Sequence, residues 1–189
     1  MPAAWTLVTT RREKAEEARR LGFFVEQAGL DLPEPQALDP AEVVEAKARA
    51  AFGRLSRPVL VEDSGLSIAA WNGFPGALVK WLEQGAGLEG IARMLDAFPD
   101  RSATAVCAVA SFDGEELVAA RGEVAGEIAP RPRGSGGFGW DRLFVPSGDS
   151  RTFAEMAPEE KDALSHRRRA WEALARRLPA LRAKPAPAR

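Results

Sequence analysis

Glu62, Asp63 and Ser64, two carboxylates and a hydroxyl, follow directly on the apolar run Val59-Leu60-Val61 and lead into Gly65. The run, bounded by Pro58, predicts a buried strand, and open α/β sheets present their ligand-binding groups at the carboxyl ends of strands. A carboxylate held there can ligate a hard cation or take a proton from water. Successive side chains leave a strand on opposite faces, so Glu62 and Asp63 cannot both enter one cleft. One of them is the candidate active group, and a hydrated loop pair is the competing reading. The stretch is predicted to return through Gly65 like a hairpin, to run as Leu66 to Ala70 and to break at Asn72-Gly73-Phe74-Pro75-Gly76, a composition that forces a shaped turn. Lys80 follows at a helix start.

Three other places carry groups that could act on a ligand. Trp5 to Thr10 reads as a strand and Glu13 to Leu21 as a charged helix ending at Gly22, with Thr9, Thr10 and Lys14 at their junction. A helix N-terminus offers free N–H groups and partial positive charge to a phosphate, although the Gly-Lys-Ser/Thr ending of a Walker A loop is missing here. An ordinary strand-to-helix turn would look the same. Residues 134–141, Gly-Ser-Gly-Gly-Phe-Gly-Trp-Asp, form a glycine-rich loop whose aromatics could stack on a base, or a plain hairpin turn. Lys161, His166 and Arg167 would scatter around one continuous helix, but a break with Ser165 as a new N-cap lets all three face one cleft.

The elements that must position these groups follow from pattern. Phe23 to Gln27 reads as a strand. Asp39, Pro40 and Glu42 mark the start of a helix that reaches about Leu55. Leu78 to Leu82 and Leu88 to Phe98 read as helices. Ser102 to Phe112 and Glu116 to Val124 read as strands around Asp113-Gly114, in a sheet buried on both faces. Arg142 to Val145 is a further strand and Arg167 to Leu178 a last helix. A Pro/Ala-rich segment, 179–189, reads as a flexible tail after a single catalytic domain over 1–178.

Composition bounds the partners. The 189 residues hold 26 basic and 27 acidic side chains, a formal charge of −1, so any polyanion site has to be built locally. From Lys161 onward nine basic residues face two acidic ones. That stretch reads as a charged helix face, and a nucleic-acid patch is the lesser reading because Trp171 is its only aromatic. Cys107 is the only cysteine and lies in an apolar run, which excludes an intramolecular disulfide and fits a reducing compartment. No apolar run approaches the roughly 20 residues that span a bilayer, and the start of the chain lacks a secretory signal, so a cytoplasmic location is expected.

Val61-Glu-Asp-Ser-Gly-Leu66, followed by Asn72-Gly-Phe-Pro-Gly76 and Lys80-Trp81, closely resembles the signature of the inosine triphosphate pyrophosphatase family, which hydrolyses non-standard purine nucleoside triphosphates. The resemblance continues in order through Leu32-Pro-Glu34, Phe138-Gly-Trp-Asp141, Thr152-Phe-Ala-Glu-Met156 and Ser165-His-Arg167. It departs at two places. The family's Thr-Gly/Ser-Asn-x-x-Lys is met as Thr9-Thr10-Arg11-Arg12-Glu13-Lys14, and Asp162 follows Lys161 where the family has Asn.

The resemblance implies an α/β fold of the ITPase-like kind: a central mixed, twisted sheet flanked by helices, with two lobes around an active-site cleft, assembled as a homodimer. It implies hydrolysis of (d)ITP and (d)XTP to the monophosphate and pyrophosphate, a house-cleaning activity. Glu34 and Asp63 would hold Mg²⁺, with Asp63 also the catalytic group that orients or deprotonates water. Thr9, Thr10, Arg11, Lys14, Lys47, Ser64 and Lys80 would bind the triphosphate. Phe138, Gly139, Trp140, Asp141, Lys161, His166 and Arg167 would bind the nucleoside, their donors matching the 6-oxo group of hypoxanthine or xanthine and leaving adenine's 6-amino group unmatched. Because of Thr10 and Arg11, a nucleotide sensor that does not hydrolyse is the alternative; a pyrophosphatase for modified pyrimidines is a lesser one.

Overall fold

The computed structural model describes residues 5–182. Its first half is two parallel crossovers: β1 (Trp5–Val8), α1 (Arg12–Arg20), β2 (Val25–Ala28), α2 (Pro40–Leu55) and β3 (Val59–Ile68). β1 lies between β2 and β3 and pairs in parallel with both. α1 and α2 cover opposite faces. Leu7 and Leu60 pack with Ala15 and Ala18 of α1, whereas Val8, Val59 and Val61 pack with Val44, Ala48 and Ala51 of α2. The strand order reverses at β1, and a crevice opens where connections leave a sheet in opposite directions.

The remaining strands are antiparallel. β4 (Pro75–Gly76) pairs with β3, and β5 (Ser102–Phe112), β6 (Leu117–Ile128) and β7 (Phe144–Pro146) extend the sheet to the order β2-β1-β3-β5-β6-β7. β5 is buried along nearly all its length, so its side chains are apolar on both faces. The helices α3 (Val79–Met94), α4 (Pro158–Leu164) and α5 (His166–Arg177) complete the fold. α3 contains the two expected helices joined across a kink at Gly87, whose φ of 67° suits glycine.

Three apolar cores divide the molecule into two lobes. Two of them cover the faces of the β1-proximal half of the sheet. The third lies at the far end of the long strands, where Leu66, Ile68, Ala105 and Ile128 meet Ile91 and Leu95 below α3 together with Phe144 and Phe153. β3, β5 and β6 run through both lobes.

Two expectations fail. The chain does not return at Gly65: β3 pairs with β5 without interruption from Val59 opposite Phe112 to Ile68 opposite Ala103. A glycine is needed there because a Cβ would meet the Gly76 carbonyl carbon at 2.8 Å and Pro40 Cγ at 2.9 Å. The reversal comes at Asn72 and Gly73, both at positive φ. Nor is the end of the chain free from residue 179, since Pro179–Arg182 forms a short 3-10 turn that buries Leu181. Residues 183–189 of the expected tail lie outside the described residues. Among the described residues no helix is long and apolar enough to cross a membrane.

Candidate active site

β1 ends beside Val61, while β3 runs on to Ile68 and meets its next partner on that edge, β4, only at Leu66. Glu62, Asp63 and Ser64 therefore lie on a stretch of strand whose outer edge is open, at the carboxyl end of β1. A cleft opens there between the β1–α1 loop, α2, α3 and the glycine-rich loop. Every predicted site residue except Lys161 lines it.

The strand pleat sends the acidic pair to different tasks. Asp63 points toward α2, where Lys47 Nζ lies 3.5 Å from its Oδ1 and 2.8 Å from Glu34 Oε1. Lys47 also donates to the Glu62 carbonyl at 3.3 Å, using the open strand edge. Asp63 Oδ2 is buried with no hydrogen-bond partner among the described residues. Burial lifts the Asp63 pKa above its ordinary 3.8, against Lys14 and Lys47 and with help from Glu34 and Glu62. Glu34 behaves oppositely: burial pushes it up, but Lys47, Lys80 and Lys14 together bring it below the usual range.

Glu62 points the other way and is fully engaged. It accepts from Arg167 Nε at 2.9 and 3.0 Å and from Trp171 Nε1 at 2.9 Å, and Lys14 Nζ lies 3.5 Å away. Burial would raise its pKa, yet Arg167, Lys14 and these hydrogen bonds hold it low. Ser64 Oγ accepts from Arg167 Nη2 at 3.0 Å and donates to Glu62 at 3.4 Å, so the hydroxyl expected to serve the triphosphate is tied to this network.

Ser165 ends α4 and caps α5, accepting from the Arg168 amide at 3.1 Å. The break swings His166 and Arg167 into the cleft wall as the sequence predicts. Lys161 does not reach that wall. It is 3% exposed and donates to Asp141 at 2.6 Å and to Glu17 at 2.7 Å, holding the wall from behind. Asp141 in turn accepts from the Phe138 amide at 2.8 Å, which shapes the glycine-rich loop. Arg167 pairs with Glu17 as well. Glu17 thus ties α1 to both cations of the opposite wall, and they hold its pKa near 2 despite burial.

His166 is buried between Phe153, stacked at 6.0 Å, and Trp140 at 5.3 Å, with neither ring nitrogen partnered among the described residues. Burial first, then the charges of Arg167, Lys161 and Lys14, push its pKa well below 6.5. A neutral imidazole offers one donor and one acceptor toward the cleft.

Motif reading misses Glu83, which lines the cleft, and Glu17, which braces its wall, whereas Glu62, the other candidate of the acidic pair, turns away from the cleft to hold Arg167 and Trp171. Glu17 had a faint signal: on α1, Glu17, Leu21, Lys14, Ala18 and Ala15 form one continuous arc at 100° per residue. An acid on that arc is an acid on the buried face.

Fold and site together define an α/β protein with a lysine-lined cleft at the switch point of a mixed sheet and an aromatic-flanked neutral histidine at its other end. The chain belongs to the Ham1 family, whose model matches residues 5–177. It is 43% identical over 167 residues to a dITP/XTP pyrophosphatase of Thermococcus kodakarensis, spanning 86% of this chain and 90% of that one. It is 47% identical over 147 residues to an inosine triphosphate pyrophosphatase of Yarrowia lipolytica, spanning 77% of each. A HAM1 protein from Coxiella burnetii has the same fold, with a TM-score of 0.80 at 30% identity over 94% of this chain and 99% of that one.

Proposed function

We propose that the protein hydrolyses non-standard purine nucleoside triphosphates, ITP and XTP and their deoxy forms, to the monophosphate and pyrophosphate. The observation that carries this reading is Asp63, a buried carboxylate of raised pKa with one oxygen unpartnered, set among Lys14, Lys47 and Lys80 at the head of the cleft. Relatives named for this activity span most of the chain.

The lysines would neutralise the triphosphate, a charge that grows on the leaving pyrophosphate as the α-phosphorus bond breaks. Asp63 in its ionised form, made a stronger base by burial, would take a proton from the attacking water at Oδ2. Attack at the α-phosphorus forms the new phosphorus–oxygen bond of the monophosphate and expels pyrophosphate. His166 as a neutral donor, with backbone N–H groups of the glycine-rich loop, would accept a 6-oxopurine and leave adenine's amino group unmatched.

The all-oxygen pair Glu34 and Asp63 fits Mg²⁺, which is ordinarily held by one or two carboxylates plus substrate phosphates. No cluster of three or more His, Cys, Asp or Glu suited to a metal exists among the described residues, so a site complete without substrate is not part of this reading. Bound there, the ion would lower the pKa of water and neutralise phosphate charge. Lys47, now bridging both carboxylates, would turn to the triphosphate.

The test is product analysis with ITP, XTP, GTP and ATP, with magnesium and with chelator. Monophosphate and pyrophosphate from ITP and XTP, lost under chelator, support the reading. Tight ITP binding without release would make the protein a sensor with an altered phosphate loop.

A further inference from the structure

Lys47 stands in the middle of α2, buried on the wall of the cleft. Its ammonium meets three oxygens: Glu34 Oε1 at 2.8 Å, the Glu62 carbonyl at 3.3 Å and Asp63 Oδ1 at 3.5 Å. Two carboxylates and a carbonyl are the hard donors that a divalent cation takes, so Lys47 holds the very groups a metal would need. The helix beneath it is fixed, because Val44, Ala48 and Ala51 pack into one core with Val8, Val59 and Val61. A lysine, however, carries a compact charge on a flexible four-carbon stem. The ammonium can leave these oxygens without any movement of α2.

The surrounding charges decide when it leaves. Glu62 is taken by Arg167, which leaves Glu34 and Asp63 as the carboxylates of this end of the cleft, with Lys14 and Lys80 lining it beside Lys47. A divalent ion entering alone would compete with Lys47 for the same oxygens and be repelled by the other two ammonium groups. A triphosphate reverses this balance: it offers Lys47 new oxygens and supplies the further ligands that Mg²⁺ ordinarily takes from phosphate. We infer that Lys47 is the resident counter-ion of the Glu34–Asp63 pair and makes divalent-cation binding conditional on a bound triphosphate. The nucleotide draws the ammonium away and frees both carboxylates; when pyrophosphate leaves, the ammonium returns and closes the pair again. This inference rests on the nucleotide reading of the cleft and on Glu34 and Asp63 as the metal ligands.

The test titrates the protein with Mn²⁺, a cation of the same oxygen preference as Mg²⁺ whose paramagnetic resonance reports the unbound ion. Titrations are run without nucleotide and with an ITP analogue carrying a methylene bridge between the α- and β-phosphorus. Lys47→Gln removes the charge and keeps a donor for Glu34; Lys47→Met, run in parallel, serves if the first variant does not fold. Without nucleotide, the wild type is expected to bind Mn²⁺ at least about tenfold more weakly than Lys47→Gln, and the analogue tightens Mn²⁺ by at least about tenfold more in the wild type than in the variant. Adding Glu34→Gln to Lys47→Gln abolishes the variant's gain. Equal Mn²⁺ affinity of the nucleotide-free wild type and both Lys47 variants, or a gain that survives Glu34→Gln, overturns the assignment. If the wild type turns over neither ITP nor XTP, the hydrolytic reading fails separately, and the nucleotide-free titrations still judge Lys47.

Discussion

Asp63 sets chemistry against stability within one side chain. Its folded pKa is raised, so the fold favours the protonated form. The stability that form provides is complete below 3.8 and is lost as pH rises through the raised value. Asp63→Asn, which mimics the neutral form, is expected to raise stability at neutral pH by about 1 kcal/mol while kcat for ITP falls at least about a hundredfold. Thermal melts and steady-state rates read the two effects. Glu17 has the opposite sign: its pKa drops from 4.5 to about 2, so its contribution is present above 4.5 and disappears as pH falls toward 2. That shift corresponds to about 3 kcal/mol. Glu17→Gln, leaving Arg167 and Lys161 short of a partner, should lower urea stability by a similar amount at neutral pH and by little in acid. Equal losses at both pH values would remove Glu17 as the acid-sensitive tie. Asp63 was legible because a strand, a carboxylate and a glycine adjoin it in sequence. Glu17 was not, because its partners lie 144 and 150 residues away and only folding brings them close.

At the scale of elements, α5 delivers His166 and Arg167, and its depth depends on Gly122 of β6. A Cβ at Gly122 would lie 2.3 Å from both the Ala170 amide nitrogen and the His166 carbonyl oxygen, backbone atoms that cannot swing aside. Gly122→Ala should push α5 off the sheet, lower stability by roughly 2 kcal/mol or more and raise KM for ITP; an unaltered KM would show that the helix is not positioned there. The N-cap at Ser165 and the Asp39-Pro40 start of α2 were readable because capping chemistry is local. Gly65 was misread for the converse reason. A glycine inside a strand reads as a turn or as a close approach, and the atoms that decide between them belong to Gly76 and Pro40.

For the whole molecule, the cleft exists because β1 stops early between two parallel partners and the long antiparallel strands carry on into a second lobe. Thr9, Lys14, Lys47 and Asp63 come from the first lobe, and Lys80, Glu83 and the glycine-rich loop come from the second. The mixed α/β class was visible in the alternation of strands and helices. The split into two lobes was expected only through family resemblance, since no composition change marks it along the chain. The central claim is that water attacks the α-phosphorus of the bound nucleotide. Hydrolysis of ITP in water enriched in heavy oxygen tests it most directly, with the products separated and weighed by mass spectrometry. Label in inosine monophosphate and none in pyrophosphate is the predicted result. Label in pyrophosphate, or release of orthophosphate, would contradict it.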